Sequence, residues 1–356
     1  MNQEFLQVLH AHRLRYPLMQ PQDYGKLAYQ SEFGPEHLLT EENVFLSGLL
    51  AEWEALSPNR PSIPPESIGN GLCRFHLWGT CAKRQAAGLL FRLCRLTASE
   101  HKGSPEGLRA RLAYLPSLPP KDMDKWLRAY QAQDCPPVHH SQIFQRAYDP
   151  HYRLLKREYA FYFPLLLQIW ELKTNSKPMI IAIDGRCGSG KTQLAELIQK
   201  ILPCNVFHMD DFYLPFEKRR PDWRSIPAGN MDLKRFQKEI LAPAKRGEKI
   251  TLRAYRCREG AFSPPLTPPK RNLILIEGSY AHHPALADQY DLRIFLSCSK
   301  TLQEKRLKLR QGKGFENFAK TWIPLEEQYF SAFHIEKKAD IHFDTSGFFQ
   351  EDQVPD

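Results

Sequence analysis

Two hydrophobic rhythms divide this chain, and the change between them falls near residue 178. Before it, apolar residues recur at helical spacing in "TEENVFLSGLLAEWEAL", "AAGLLFRLCRLTASEH", "SPEGLRARLAYL" and "DMDKWLRAYQAQ". The stretch "RLLKREYAFYFPLLLQIWEL" (153–172) reads as a further long helix. Thr40 is placed as an N-cap, and Ser104 followed by Glu106 and Gly107 marks a helix entry. Proline-rich joints at "PNRPSIPPES" and "PSLPPKD" separate these segments. After residue 178 short apolar runs take over. "MIIAI", from Met179, reads as a strand buried on both faces, followed by strands at 205–209, 272–278, 291–297 and 339–343. Helical stretches alternate with them: "TQLAELIQKIL", "DLKRFQKEILAPA", "TLQEKRLKLRQ" and the neighbourhood of "PLEEQYFSAF". The expected architecture is α/β over 178–350, a mostly parallel sheet flanked by helices, preceded by a mainly α-helical domain over 1–172. The polar stretch "ELKTNSKP" (171–178) is the expected boundary, and no internal repeat is evident.

Chemistry enters where the first strand stops. Gly185, Gly190, Lys191 and Thr192 fit G-x-x-x-x-G-K-[ST], between an apolar strand and an amphipathic helix. The motif needs that context, because its glycines let successive backbone N–H groups point at phosphate oxygens. The helix beginning near Lys191 adds its positive dipole end. Gly185, Cys187, Gly188, Ser189, Gly190, Lys191 and Thr192 are therefore the expected ATP-binding residues, in a P-loop NTPase-type sheet. Lys191 is expected to reach the β- and γ-phosphates, and the Thr192 hydroxyl to hold Mg2+. Cys187 lies inside the loop, where oxidation could block nucleotide or the thiol could be inert.

Composition changes this picture little. Of 356 residues, 42% are hydrophobic and 25% charged, and no apolar run approaches the roughly 20 residues of a membrane span. The first residues mix acid and base without a signal-peptide core, so a cytoplasmic location is expected. Eight cysteines without a C-x-x-C pair read as reduced thiols. A net charge of +9 suits phosphate-bearing ligands. No zinc-finger spacing, RNA-recognition signature or Arg/Gly tract points to nucleic acid, and a homo-oligomer is allowed. His139, His140 and His151, with Asp149 between them, fit no standard metal spacing and read as loop and cap residues. Glu32, Glu36 and His37 gather near a glycine-proline turn without a diagnostic pattern.

Four further stretches follow in order: "FHMDDFYLP" (207–215), "GNMDLKRF" (229–236), "LIEGSY" (275–280) and "KTLQEKRLKLRQ" (300–311). With the P-loop and "YRCREGAF", this set resembles the uridine kinase and phosphoribulokinase group, above all the bacterial uridine kinase-like proteins, over about residues 178–346. The resemblance implies a phosphotransferase that uses ATP and Mg2+ to phosphorylate a hydroxyl of a nucleoside-like or sugar-like acceptor. It makes Asp210 the base that takes the hydroxyl proton and a neighbour of the metal, with Asp211 as a turn cap. Glu277 becomes a magnesium or water ligand, and Arg306 and Arg310 lid arginines closing over ATP. Asp232 would grip acceptor hydroxyls, and Tyr213 and Tyr255 would line the acceptor pocket. Where uridine kinases place an aromatic and a base-reading histidine after the tyrosine, this chain has Arg256, Cys257 and Arg258. A buried Arg258 would favour an anionic acceptor over uridine. The first half resembles uncharacterised bacterial proteins with the same fusion. Two other readings stand beside the kinase: a P-loop ATPase switch coupled to RNA or protein binding, and a helical interaction module bearing a degenerate kinase.

Overall fold

The structure is a computed structural model that describes residues 3–56, 61–78, 84–118, 122–172 and 178–349. The chain divides into two compact units, Met1–Glu171 and Leu172–Asp356. Most of the expected boundary stretch, 173–177, lies outside the described residues, as do parts of both proline-rich joints. Among the described residues, no helix is long and apolar enough to cross a membrane.

The first unit is helical for most of its length, including Pro21–Phe33, Arg84–Glu100 and Arg157–Leu172. Ser104 caps its helix as expected, accepting from the Gly107 amide. Thr40 does not, because the helix starts one residue later and Glu41 takes the cap position. A larger correction is a three-stranded antiparallel sheet: β1 (Glu66–Gly69), β2 (Leu72–His76) and β3 (Tyr152–Lys156), in that order. The stretch 153–172 is therefore not one helix. Its opening residues pair with β2, from His76 opposite Tyr152 to Leu72 opposite Lys156, and the helix begins only at Arg157. Gly69, Asn70 and Gly71, all at positive φ, make the tight turn between β1 and β2.

An apolar core that includes Phe5, Leu9, Leu27, Leu72, Leu112 and Leu154 fills this unit. Beside it runs a buried polar network. His140 contacts Asp23 at 2.9 Å and the Tyr152 hydroxyl at 2.7 Å, and Gln30 donates to the same hydroxyl at 3.1 Å. Arg74 donates to Gln30 at 3.0 and 3.2 Å and lies 3.7 Å from Glu66, which His12 and His76 each face at 3.8 Å. Burial pulls His12, His76 and His140 down from 6.5 to about 4, against the raising effect of their carboxylate neighbours. Their folded pKa values lie below the unfolded ones, so the stabilisation is complete above about pH 6.5 and is lost as pH falls toward 4. Lowering the pH from 7.5 to 5.5 should cost about 4 kcal/mol of unfolding free energy from these three imidazoles together. Urea unfolding at the two pH values measures this. An unchanged midpoint would mean that the imidazoles titrate normally.

The second unit holds β4 (Met179–Gly185), β5 (Cys204–His208), a small ribbon of β6 (Tyr255–Arg256) with β7 (Ala261–Phe262), β8 (Leu273–Glu277), β9 (Leu292–Ser297) and β10 (Ile341–Asp344). Five of these form a wholly parallel sheet in the order β10-β9-β4-β8-β5. β4 is central and Ile180 to Gly185 are all buried, which is why the strand is apolar from Met179 to Ile183, before the buried Asp184. The helix read at 232–244 is interrupted by a π-helical turn at Gln237–Leu241. Register sets up the site. Glu277 at the end of β8 pairs with Ile183 on β4 and with His208 on β5. The phosphate loop, the "MDDFY" turn and Glu277 thus meet at the carboxyl ends of adjacent strands, where open α/β sheets bind ligands.

Candidate functional site

The loop after β4 can only be built from glycines at its key points. Gly185 has φ of 140°, and a Cβ there would lie 2.0 Å from the Leu296 carbonyl oxygen. Gly188 and Gly190 also have positive φ, 78° and 96°. Gly190 is the N-cap of the helix Lys191–Ile201 and has no side chain to satisfy the first-turn amides. The Ser189 hydroxyl is fully buried with no hydrogen-bond partner among the described residues. Free amides and an orphaned hydroxyl in one cradle fit the oxygens of a phosphate chain. The Lys191 ammonium folds back on the loop, donating to the Gly185 and Arg186 carbonyls at 2.6 and 3.2 Å.

Several residues that hold this loop escaped the sequence reading. Asp184 is fully buried and accepts from the Gly185 amide at 2.7 Å, the His282 amide at 2.9 Å and the Tyr329 hydroxyl at 2.8 Å. The helix Phe315–Phe333 sends Glu327 to Arg186, at 2.6 and 3.2 Å, and Glu326 to the Cys187 amide, at 2.9 Å. Glu326 also accepts from Ser279. Gln303 donates to the Cys187 carbonyl at 3.0 Å. The Cys187 thiol is buried, and burial together with Glu326 pushes its pKa well above the ordinary thiol value. Its reactive thiolate form is therefore suppressed, and Cys187 serves the loop through its backbone. Arg306 donates to the Gly188 carbonyl at 2.8 Å and to the Thr345 hydroxyl at 3.1 Å. Arg310, one turn on, is exposed and stacks over Phe318 at 5.5 Å.

Across from the loop, the Thr192 hydroxyl donates to Glu277 at 3.3 Å. The other Glu277 oxygen meets His208 Nδ1, and this contact raises the His208 pKa. Asp210 instead accepts from the Tyr213 hydroxyl at 3.0 Å. Of the three expected metal neighbours, the structure thus brings Thr192 and Glu277 into contact and turns Asp210 to Tyr213. Among the described residues, no group of three histidine, cysteine or acidic side chains is spaced to hold a metal. A hydroxyl and one carboxylate still suit Mg2+, which takes few protein oxygens and completes its shell with water and phosphate.

The "GNMD" stretch lies against the "MDDFY" turn, through the Asp232 amide to the Phe212 carbonyl at 2.8 Å and a bridge between Tyr213 and Met231. Asp232 caps the short helix Leu233–Phe236, accepting from the Arg235 amide at 3.1 Å, and lies 3.5 Å from Arg235 Nε. Tyr255 is buried, and its hydroxyl and the Asn230 side-chain amide nitrogen have no hydrogen-bond partner among the described residues. Arg258 is not the buried residue expected. It stands exposed in the turn between β6 and β7, where the Glu259 and Gly260 amides fold back onto the Arg256 carbonyl and leave no wall to bury it. Arg235 is the arginine packed inward here, over Phe212 at 4.2 Å and donating to the Asp211 carbonyl at 2.9 Å.

In the first unit, His140 is held by Asp23 and Tyr152, while His151 bridges Glu52 at 2.7 Å and Asp149 at 3.1 Å. Glu32 pairs with buried Arg111 and accepts from the Ser104 amide at 2.7 Å. His37 packs edge-on against Tyr29, with ring centroids 4.9 Å apart. The structure disperses these residues into separate contacts.

Sheet order, loop and strand-end acids define the second unit as a P-loop α/β unit. It is similar to a possible uridine kinase from Bacillus stearothermophilus, at 23% identity over 51% of this chain and 95% of that one, with a TM-score of 0.41. A candidate fructose transport system kinase from Silicibacter sp. TM1040 is similar at 20% identity over 51% of this chain and 97% of that one, also with a TM-score of 0.41. No protein-family model matches the chain.

Proposed function

We propose that the chain is an ATP-dependent kinase transferring the γ-phosphate to a hydroxyl of a nucleoside-like or sugar-like acceptor. One observation carries this reading: a complete phosphate loop shares its end of the sheet with Asp210, a carboxylate outside the Thr192–Glu277 pair and held by Tyr213. An ATPase switch needs the loop and a metal-side acid, but no second carboxylate placed for an acceptor.

The residues divide the work. The loop amides and the Ser189 hydroxyl take the phosphate oxygens, and Lys191 leaves its loop carbonyls for the β- and γ-phosphates. Thr192 and Glu277 would hold Mg2+, which supplies charge neutralisation to the phosphates. Asp210 takes the acceptor hydroxyl proton as the new oxygen–phosphorus bond forms and the bond to the β-phosphate oxygen breaks, leaving ADP. Tyr213 fixes the carboxylate that does this. Arg306, bonded to the Gly188 carbonyl, brings positive charge to the loop for the charge that spreads over the moving phosphoryl group, and Arg310, one helical turn on, is assigned the same role. Asp232, Tyr255 and Asn230 are assigned to the acceptor side, where the unpartnered Tyr255 hydroxyl and Asn230 amide suit an acceptor rich in hydroxyls.

The test is ATP consumption by the purified protein against nucleosides, sugar acids and vitamins, with products identified by mass. A product one phosphoryl group heavier than its acceptor is expected. Phosphate release stimulated by RNA, with no phosphorylated acceptor, would replace this reading with the switch.

A further inference from the structure

Beyond Tyr213 the second unit opens a cleft of about 440 Å³, lined by Phe216, Arg219, Arg220, Trp223, Arg224 and Trp322 among others. Its cations differ in kind. Arg220 is neutralised at the rim by Asp222, at 2.9 and 3.0 Å. Arg219 and Arg224 have no carboxylate partner among the described residues. Arg219 is nevertheless held in place: its Nε donates to the Leu214 carbonyl at 2.9 Å, and its guanidinium lies 4.3 Å from the Phe216 ring and 5.4 Å from the Trp223 ring. Arg224 stacks over the other side chain of this wall, Trp223, at 5.0 Å.

The cleft adjoins the reacting end of the site. Tyr213, whose hydroxyl donates to Asp210, has its ring 6.0 Å from the Arg219 guanidinium and 6.0 Å from the Trp322 ring. Its ring joins the carboxylate to two of the side chains that line the cleft. An arginine fixed by aromatic stacking, half-buried and without a counter-charge, is pre-organised for an oxyanion, and its planar fork matches phosphate and carboxylate alike.

We propose that the acceptor carries an oxyanion, a phosphate monoester or a carboxylate, bound in this cleft by Arg219 with Arg224 while its reacting hydroxyl lies at Asp210. This rests on the kinase reading and names its substrate class. It also moves anion recognition from exposed Arg258 to the segment after the "MDDFY" turn. Half-buried Arg219, against the Phe216 and Trp223 rings, is less hydrated than an exposed arginine, which strengthens its pairing with an oxyanion.

Matched acceptors test it: glycerol, glycerate and glycerol 3-phosphate; ribose and ribose 5-phosphate; uridine and uridine monophosphate. ADP formation and product mass are followed with the full chain and with Arg219→Ala, Arg219→Lys and Arg224→Ala. The expected result is turnover of an anionic member in preference to its neutral partner. Arg219→Ala should then raise the KM of that acceptor about 10- to 100-fold, the loss of a hydrogen bond to a charged group, with the KM for ATP unchanged. Preference for the phosphate or for the carboxylate member identifies which oxyanion is read. Arg219→Lys keeps the charge but not the fork and should fall between. With Arg224→Ala, it carries the test if Arg219→Ala melts early. Neutral acceptors turned over best, with Arg219 and Arg224 variants silent, overturn the proposal and leave the kinase standing. No phosphorylated acceptor of either class, with ATP still hydrolysed, removes the kinase reading and this proposal with it.

Discussion

Lys191→Ala should lower phosphoryl transfer at least about 100-fold while the chain stays folded. The ammonium stands at the end of the phosphate loop where the helix begins, and its two hydrogen bonds go to the Gly185 and Arg186 carbonyls of that loop. Truncation leaves the buried Gly185 carbonyl without this donor, a cost of about 1–3 kcal/mol, within the ordinary range for a point substitution. The loop's shape does not depend on Lys191. It is fixed by the glycines, by Asp184 on the Gly185 amide and by Glu326 on the Cys187 amide. Catalysis, by contrast, needs a positive charge that follows the β- and γ-phosphates into the transition state. Removing one pre-organised electrostatic group of this kind costs about 100- to 1,000-fold in turnover number. Turnover and thermal melting measured on the same preparation check both halves. Normal turnover in the variant would sink the assignment of the loop.

What the sequence disclosed and what it hid follow from where each residue finds its partners. β4 was legible because Ile180 to Ile183 are buried on both faces and all apolar, and the glycine spacing after them has few other uses. β1 to β3 were not, because their burial is chemical rather than apolar. In β2, Leu72, Cys73, Arg74, Phe75 and His76 are all buried, and Arg74 is tolerated there because Gln30, from a distant helix, accepts its hydrogen bonds and Glu66, opposite it on β1, balances its charge. Hydropathy along the chain cannot register a partner 44 residues away. The same limit hid Glu326, which looks like any polar position on its helix until the Cys187 amide, 139 residues earlier, is brought to it. His208 was read as the tail of a strand, and only the register of β5 against β8 sets it beside Glu277. Arg258 erred the other way. The motif placed it correctly in order, but a turn as tight as that between β6 and β7 carries its side chains outward. Arg219 lies in "FEKRRPDW", a stretch with no period, and it gains meaning only from the aromatic rings folded around it.

Asp210→Asn should leave the KM for ATP unchanged and lower the turnover number by at least about 100-fold, the lower range for losing a general base. The amide nearly matches the carboxylate in shape and can still accept the Tyr213 hydroxyl, so the turn at 209–212 keeps its position. What it loses is the capacity to take a proton from the acceptor hydroxyl. Asp211 is the control one residue on. Burial raises its pKa, with His208 acting in the opposite direction, and its backbone carbonyl rather than its side chain receives Arg235. Asp211→Asn should therefore cost well under tenfold in turnover. Steady-state kinetics of both variants, at saturating ATP and with the acceptor varied, separate the two. A large loss in Asp211→Asn with Asp210→Asn near normal would move the base by one position. The carboxylate tied to Tyr213 would then be a structural contact, and the acceptor hydroxyl would have to approach from the His208 side of the strand end.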